Sequence, residues 1–286
     1  MKKVAVAIIH GMGQQKEDYA KKMAERLKRM VYVKSPTFVT NQDSQLSIVP
    51  IYWADVFEPG ETELYKRLVE DNNLRFKHLR RFIIHYLADV VAYQPVETAK
   101  HNYHLVHERV AKSLGNLAEQ TGPDAPLCVI SHSLGSVIAS NYFYDMQVKP
   151  ENVGFSIKDL SPLEKGDSLA LFYTVGTTLP FWSLRYDQFD RPITIPSPKI
   201  EERFPGYQGE WINFYDRDDV LGYPLKNVSP QYNLAVKEDR EVNAGGMLDS
   251  WNPLAHSAYL TDKDVLEPIA DGLVKLWKRI DHIEPI

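Results

Sequence analysis

Leu127-Cys128-Val129-Ile130-Ser131-His132-Ser133-Leu134-Gly135-Ser136 is the stretch on which the reading of this chain turns. Four apolar residues lead into a small-x-Ser-x-Gly turn, and a helical pattern follows through Val137, Ile138 and Tyr142. Strand, tight turn and helix in that order predict a nucleophile elbow. Small residues at 131 and 135 let the strand and helix backbones approach each other. The turn lifts the Ser133 hydroxyl clear of the sheet. It also aims the Leu134 amide, at a helix N-terminus, toward the place where an oxyanion would form. Ser131 stands where glycine is commoner, and the bland alternative is a Ser-rich turn that caps a helix.

Outward from the elbow, short apolar runs alternate with longer helical patterns. Val4–Ile9, Leu46–Tyr52, Leu169–Val175 and Trp211–Tyr215 read as further strands, and Lys16–Val31 carries helical spacing at Tyr19, Met23, Leu27 and Met30. Tyr232–Val236 with the Val242 region reads as a last strand or a loop beside it. Buried strands separated by helices predict an α/β fold, a mostly parallel sheet flanked by helices. Between the second and third strands, about residues 61–120, lie two apolar stripes. Leu79, Phe82, Ile83, Tyr86, Leu87 and Val90 form one; Leu105, Val106, Val110, Leu114 and Leu117 form the other. A crossover needs only a dozen or more residues, so this segment reads as a helical insertion, either a lid over a site or added scaffold. Residues 187–210, with four prolines, read as an ordered surface excursion. No repeat or linker divides the chain, and residues 1–286 read as one domain.

Composition narrows the classes. The 286 residues carry a net charge of −5, with 44% hydrophobic and 25% charged residues, which fits a globular chain and leaves no basic footprint for nucleic acid. Lys2-Lys3 ahead of Val4–Ile9 imitates a signal peptide, but the apolar run is too short and ends at His10-Gly11. No stretch approaches the ~20 apolar residues of a membrane span. A single cysteine, Cys128, excludes an internal disulfide and fits a reducing, cytoplasmic setting.

Three further segments carry chemistry. His10-Gly11-Met12-Gly13 ends the first strand in a turn whose amides can face a developing negative charge; a dinucleotide fingerprint fails because position 16 is Lys. Asp216, Asp218 and Asp219 follow the fifth strand, where a carboxylate can reach a histidine. His256 lies downstream, which completes the order Ser, Asp, His. His101, His104 and His107 recur every third residue and read as helix polarity rather than a metal site.

These segments together resemble the α/β-hydrolase-fold serine hydrolases of the lipase/esterase type, over nearly the whole chain. Thr174–Pro180 resembles the loop that follows the nucleophile helix and its strand in such lipases. The family's leading antiparallel hairpin has no counterpart here. The resemblance implies Ser133 as nucleophile, His256 as general base and Asp218 as its orienting acid, because Val220 stands two residues on; Asp216 and Asp219 are the alternatives. It implies an oxyanion hole from the amides of Leu134 and of Met12 or Gly11. It implies a small-molecule or lipid ester as substrate, with no metal and no other cofactor. Thioesters and amides are open to the same machinery, and a non-catalytic binding module on the same fold is the competing class.

Overall fold

The alternation of apolar runs and helical patterns is realised as a single sheet with helices on both faces. The computed structural model describes residues 3–13, 15–38, 45–94, 102–185, 191–244 and 255–280, with the backbone alone at 255–257. In chain order the elements are β1 (Val4–Ile9), α1 (Lys21–Lys34), β2 (Leu46–Ile51), α2 (Glu58–Tyr65), α3 (Lys77–Ala92) and α4 (Asn102–Thr121). There follow β3 (Leu127–His132), α5 (Leu134–Val148), β4 (Leu169–Val175), α6 (Leu179–Ser183), β5 (Glu210–Tyr215), α7 (Pro230–Ala235), β6 (Glu238–Glu241) and α8 (Lys263–Ile280). The sheet order is β2-β1-β3-β4-β5-β6 and every neighbouring pair is parallel. Parallel strands buried on both faces need no polar alternation, which is why the strands were legible as plain apolar runs.

Successive side chains of β1 go to opposite cores. Ala5, Ala7 and Ile9 join Val106, Val110, Leu114, Val137 and Tyr142 of α4 and α5. Val4, Val6 and Ile8 join Met23, Leu27 and Val31 of α1 and Ile269, Leu273 and Trp277 of α8. The small alanines of β1 let α4 pack closely over it. Thus α4 covers the sheet as a crossover helix, and the part of the chain surplus to that task is Ala54–Ala92, with α2 and α3.

Strand ends shift by one or two residues from the sequence reading, and two differences are larger. The first helix begins at Lys21 rather than Lys16. Tyr232 lies in α7, which Ser229 caps by accepting the Tyr232 amide, and the last strand falls on the charged run Glu238–Glu241. Apolarity missed this edge strand because Asp239 points at donors: its carboxylate takes the amides of Leu225 and Lys226 and the Asn213 Nδ2 at 2.7–3.0 Å. An edge position tolerates the charges around it. Among the described residues, no helix is long and apolar enough to cross a membrane.

Candidate active site

The turn after β3 bends as the motif requires. Ser133 has φ 52° and ψ −126°, a left-handed backbone that an L side chain rarely adopts and that costs energy. Its amide donates to the Val175 carbonyl at 3.1 Å and its carbonyl accepts the Ser136 amide at 3.0 Å. Leu134 opens α5, so no helical carbonyl lies behind its amide. Ser133 is 1% exposed, and its Oγ finds no hydrogen-bond partner among the described residues. A buried hydroxyl without a partner is itself unfavourable, by about 1–3 kcal/mol.

The two glycine-bearing turns touch. A Cβ on Gly135 would lie 2.3 Å from the His10 carbonyl oxygen, and a Cβ on Gly11 would lie 2.6 Å from the Ser133 Cβ. Both positions exclude any side chain, and their bareness lets the end of β1 pack against the elbow. Gly11 and Met12 therefore lie beside Ser133, with Met12 packed on the core.

His10 pins this turn. Its ring stacks on Trp53 at 4.6 Å between centroids, Nδ1–H donates to the Gly11 carbonyl at 2.7 Å, and Nε2 accepts the Trp53 amide at 3.2 Å. That pattern needs the neutral ring. Burial pushes the His10 pKa down to about 4, against the smaller opposite effect of the Gly11 carbonyl. Between pH about 6.5 and about 4 the unfolded chain therefore binds a proton that the folded protein refuses. Stability is expected to be complete above pH 6.5 and to fall toward pH 4, by up to about 3 kcal/mol. Chemical denaturation at several pH values should show this fall flattened in His10→Phe.

The aspartates after β5 separate cleanly. Asp216 is buried and spends both oxygens on backbone amides, Oδ1 on Asp218 at 2.9 Å and Oδ2 on Ala244 at 2.6 Å. Asp218 is exposed. Asp219 is half-buried; its Oδ1 accepts the Leu221 amide at 3.0 Å and its Oδ2 the Tyr259 hydroxyl at 2.9 Å. Tyr259 is fully buried, also accepts the Asp216 amide at 2.9 Å, and lies 6.4 Å from the His132 ring, centroid to centroid. His132 in turn borders Gly11 and is buried, as a wall residue of the elbow. The backbone of His256 lies in the 3₁₀ turn Ala255–Thr261 that carries Tyr259, and its side chain is outside the described residues.

Sequence reasoning passed over two contributors. Tyr259 ties the Asp216–Asp219 turn to the segment that carries His256. Asp89 of α3 accepts the Gly13 amide at 2.7 Å, which brings α3 over the end of β1. Its only sequence signal is a charge inside an apolar helical stripe. His107 is fully buried and bonds the Tyr93 hydroxyl at 2.9 Å, so it is not surface polarity. Among the described residues no group of three or more His, Cys, Asp or Glu is placed to hold a metal ion.

The parallel sheet with helices on both faces makes the chain an α/β protein, with its candidate site at the carboxyl ends of β1, β3 and β5. No protein-family model and no curated protein matches it. Among solved structures it is similar to the RedJ thioesterase of the prodiginine biosynthetic pathway in Streptomyces coelicolor, at 11% identity over 95% of this chain and 89% of that one, TM-score 0.41. It is also similar to the esterase domain of a Rhodothermus marinus protein, at 11% identity over 98% and 88% of the two chains, TM-score 0.37.

Proposed function

We propose that the protein is a serine hydrolase that cleaves a carboxylic ester or thioester through an acyl-enzyme on Ser133. The observation that carries this is the coincidence of two costs at one residue: the left-handed backbone of Ser133 and its buried hydroxyl, which has no partner among the described residues. Strain of this kind survives where a site uses it. Ser133 Oγ attacks the acyl carbonyl carbon and forms the new C–O bond, while its proton passes to the neutral imidazole of His256. The Leu134 amide, with that of Met12 or Gly11, binds the oxyanion of the tetrahedral intermediate. The bond to the alcohol or thiol then breaks and His256 protonates the leaving group. Water repeats the sequence on the acyl-enzyme, and the carboxylic acid and free Ser133 result.

Asp219 is the carboxylate of choice to orient His256. Asp216 is buried and holds the Asp218 and Ala244 amides, and Asp218 stands in solvent, whereas Asp219 is half-buried and, besides the Leu221 amide, accepts the hydroxyl of Tyr259, three residues along from His256. A fluorophosphonate probe followed by peptide mapping tests the reading. Label is expected on Ser133; label elsewhere, or none, overturns it.

The surplus helices form a lid in this reading. Burial, and then the nearby Asp219 carboxylate, raise the pKa of Tyr86 on α3, and Phe82 stacks on Tyr86 at 5.7 Å. Phe82 is 47% exposed, so its removal does not open a core cavity. Phe82→Ala with Tyr86→Ala is expected to shift the preference between short and long acyl chains by ~0.8 kcal/mol per buried methylene. A large fall in melting temperature with an unchanged chain-length profile would assign these residues to scaffold instead.

A further inference from the structure

Helix α3 is inverted. Leu79, Phe82, Ile83, Leu87 and Val91 are exposed, while the two residues that it buries are His85 and Asp89, one turn apart. Both face α2. His85 Nδ1 lies 2.5 Å from Glu61 Oε2, and the Glu61 and Asp89 carboxyl groups are within side-chain hydrogen-bonding reach of each other. On its remaining side, Asp89 Oδ2 accepts the Gly13 amide at 2.7 Å. Glu61 Oε1 is buried and has no donor among the described residues unless a carboxyl proton supplies one.

Two carboxyl groups in contact away from water do not both ionise; one keeps a proton and donates it to the other. Burial pushes Asp89 up to about 8, with the Gly13 amide opposing and the Glu61 carboxylate adding. Burial also raises Glu61, and Glu58 on α2 adds to it. His85 is lowered, first by burial and then by Arg81, against the pull of Asp89 and Glu58. No full positive charge therefore neutralises the pair from within the cluster at neutral pH.

We propose that Asp89 is a positioning residue for the oxyanion turn: its buried carboxyl clasps the Gly13 amide and so holds the Gly11–Met12 amides beside Ser133. This rests on the hydrolase reading above. Loss of the shared proton leaves two buried negative charges next to a turn that must bind an oxyanion. Repulsion then loosens α2 from α3 and disfavours the tetrahedral intermediate. An asparagine at 89 offers Gly13 the same acceptor and gives Glu61 a permanent N–H donor.

The experiment measures kcat and KM for p-nitrophenyl acetate, with melting temperatures, across pH 4 to 9.5 for wild type, Asp89→Ala and Asp89→Asn. Asp89→Ala is expected to lose at least about tenfold in kcat at pH 7 with KM changed less than about threefold, as for an interaction realised in the transition state. Asp89→Asn is expected to restore most of that loss and to lack the fall in kcat that wild type shows as pH passes about 8. Without substrate, the folded wild type holds a proton that the unfolded chain releases near pH 4. Its melting temperature should therefore drop relative to Asp89→Asn from pH about 4 to about 8, and the gap should be level above. Wild-type kcat in Asp89→Ala, the alkaline fall retained in Asp89→Asn, or a gap that ignores pH each overturns the clasp while leaving the hydrolase reading standing. A wild type that turns over no acyl substrate overturns that reading, and the positioning role with it.

Discussion

Ser133→Ala is expected to abolish turnover of p-nitrophenyl esters and acyl thioesters, with a loss of ~10⁴ to 10⁶-fold in kcat, and to leave the melting temperature unchanged or raised. The size follows from the way nucleophile, base and oxyanion donors act as a unit, so that removal of one removes nearly the whole advantage. The stability side follows from the burial of an Oγ that has no partner among the described residues: its deletion takes away a polar atom that those residues leave unsatisfied and opens little space. Alanine does not relieve the backbone at φ 52°, so a gain from that source is not expected. Steady-state kinetics and a thermal melt on the same preparation decide it. Wild-type kcat in the variant would remove Ser133 from the chemistry, and the function with it.

The second large effect concerns the carboxylate. Asp219→Asn is expected to lower kcat/KM by up to about 10⁴-fold, because an amide in that place holds the wrong tautomer of the base and cannot stabilise the imidazolium. Asp218→Asn should stay close to wild type, since its side chain stands in solvent. Asp216→Asn should act on stability instead. Its two oxygens accept the Asp218 and Ala244 amides, and an asparagine can satisfy one of them as an acceptor but not both. The buried amide left over costs about 1–3 kcal/mol. Activity and melting curves on the three variants therefore give three distinct patterns. If Asp218→Asn shows the largest loss of activity, the acid is Asp218 and the Asp-x-hydrophobic spacing outweighs burial.

How much of this the chain announces is a matter of range. The sequence alone determined the α/β class, since Val4–Ile9, Leu127–Ile130 and Leu169–Val175 are apolar runs that only two covered faces accommodate. It also determined the elbow, because small-x-Ser-x-Gly after such a run leaves few other conformations. These are local properties, set by side-chain size and by period over a few residues. Only the tertiary structure decided which aspartate faces inward. Residues 216, 218 and 219 share one chemistry, and a single turn sends one to the Ala244 amide, one to water and one to Tyr259. The edge strand Glu238–Glu241 was hidden for a related reason: its inward carboxylate is satisfied by amides about a dozen residues upstream. Helix α3 shows the limit most plainly. Its apolar stripe reads from sequence as part of a lid or of added scaffold, yet His85 and Asp89 are the buried residues, because Glu61 and the Gly13 amide wait there to pair with them. A burial pattern set by partners more than twenty residues away carries no local signature, and only the folded chain brings those partners together.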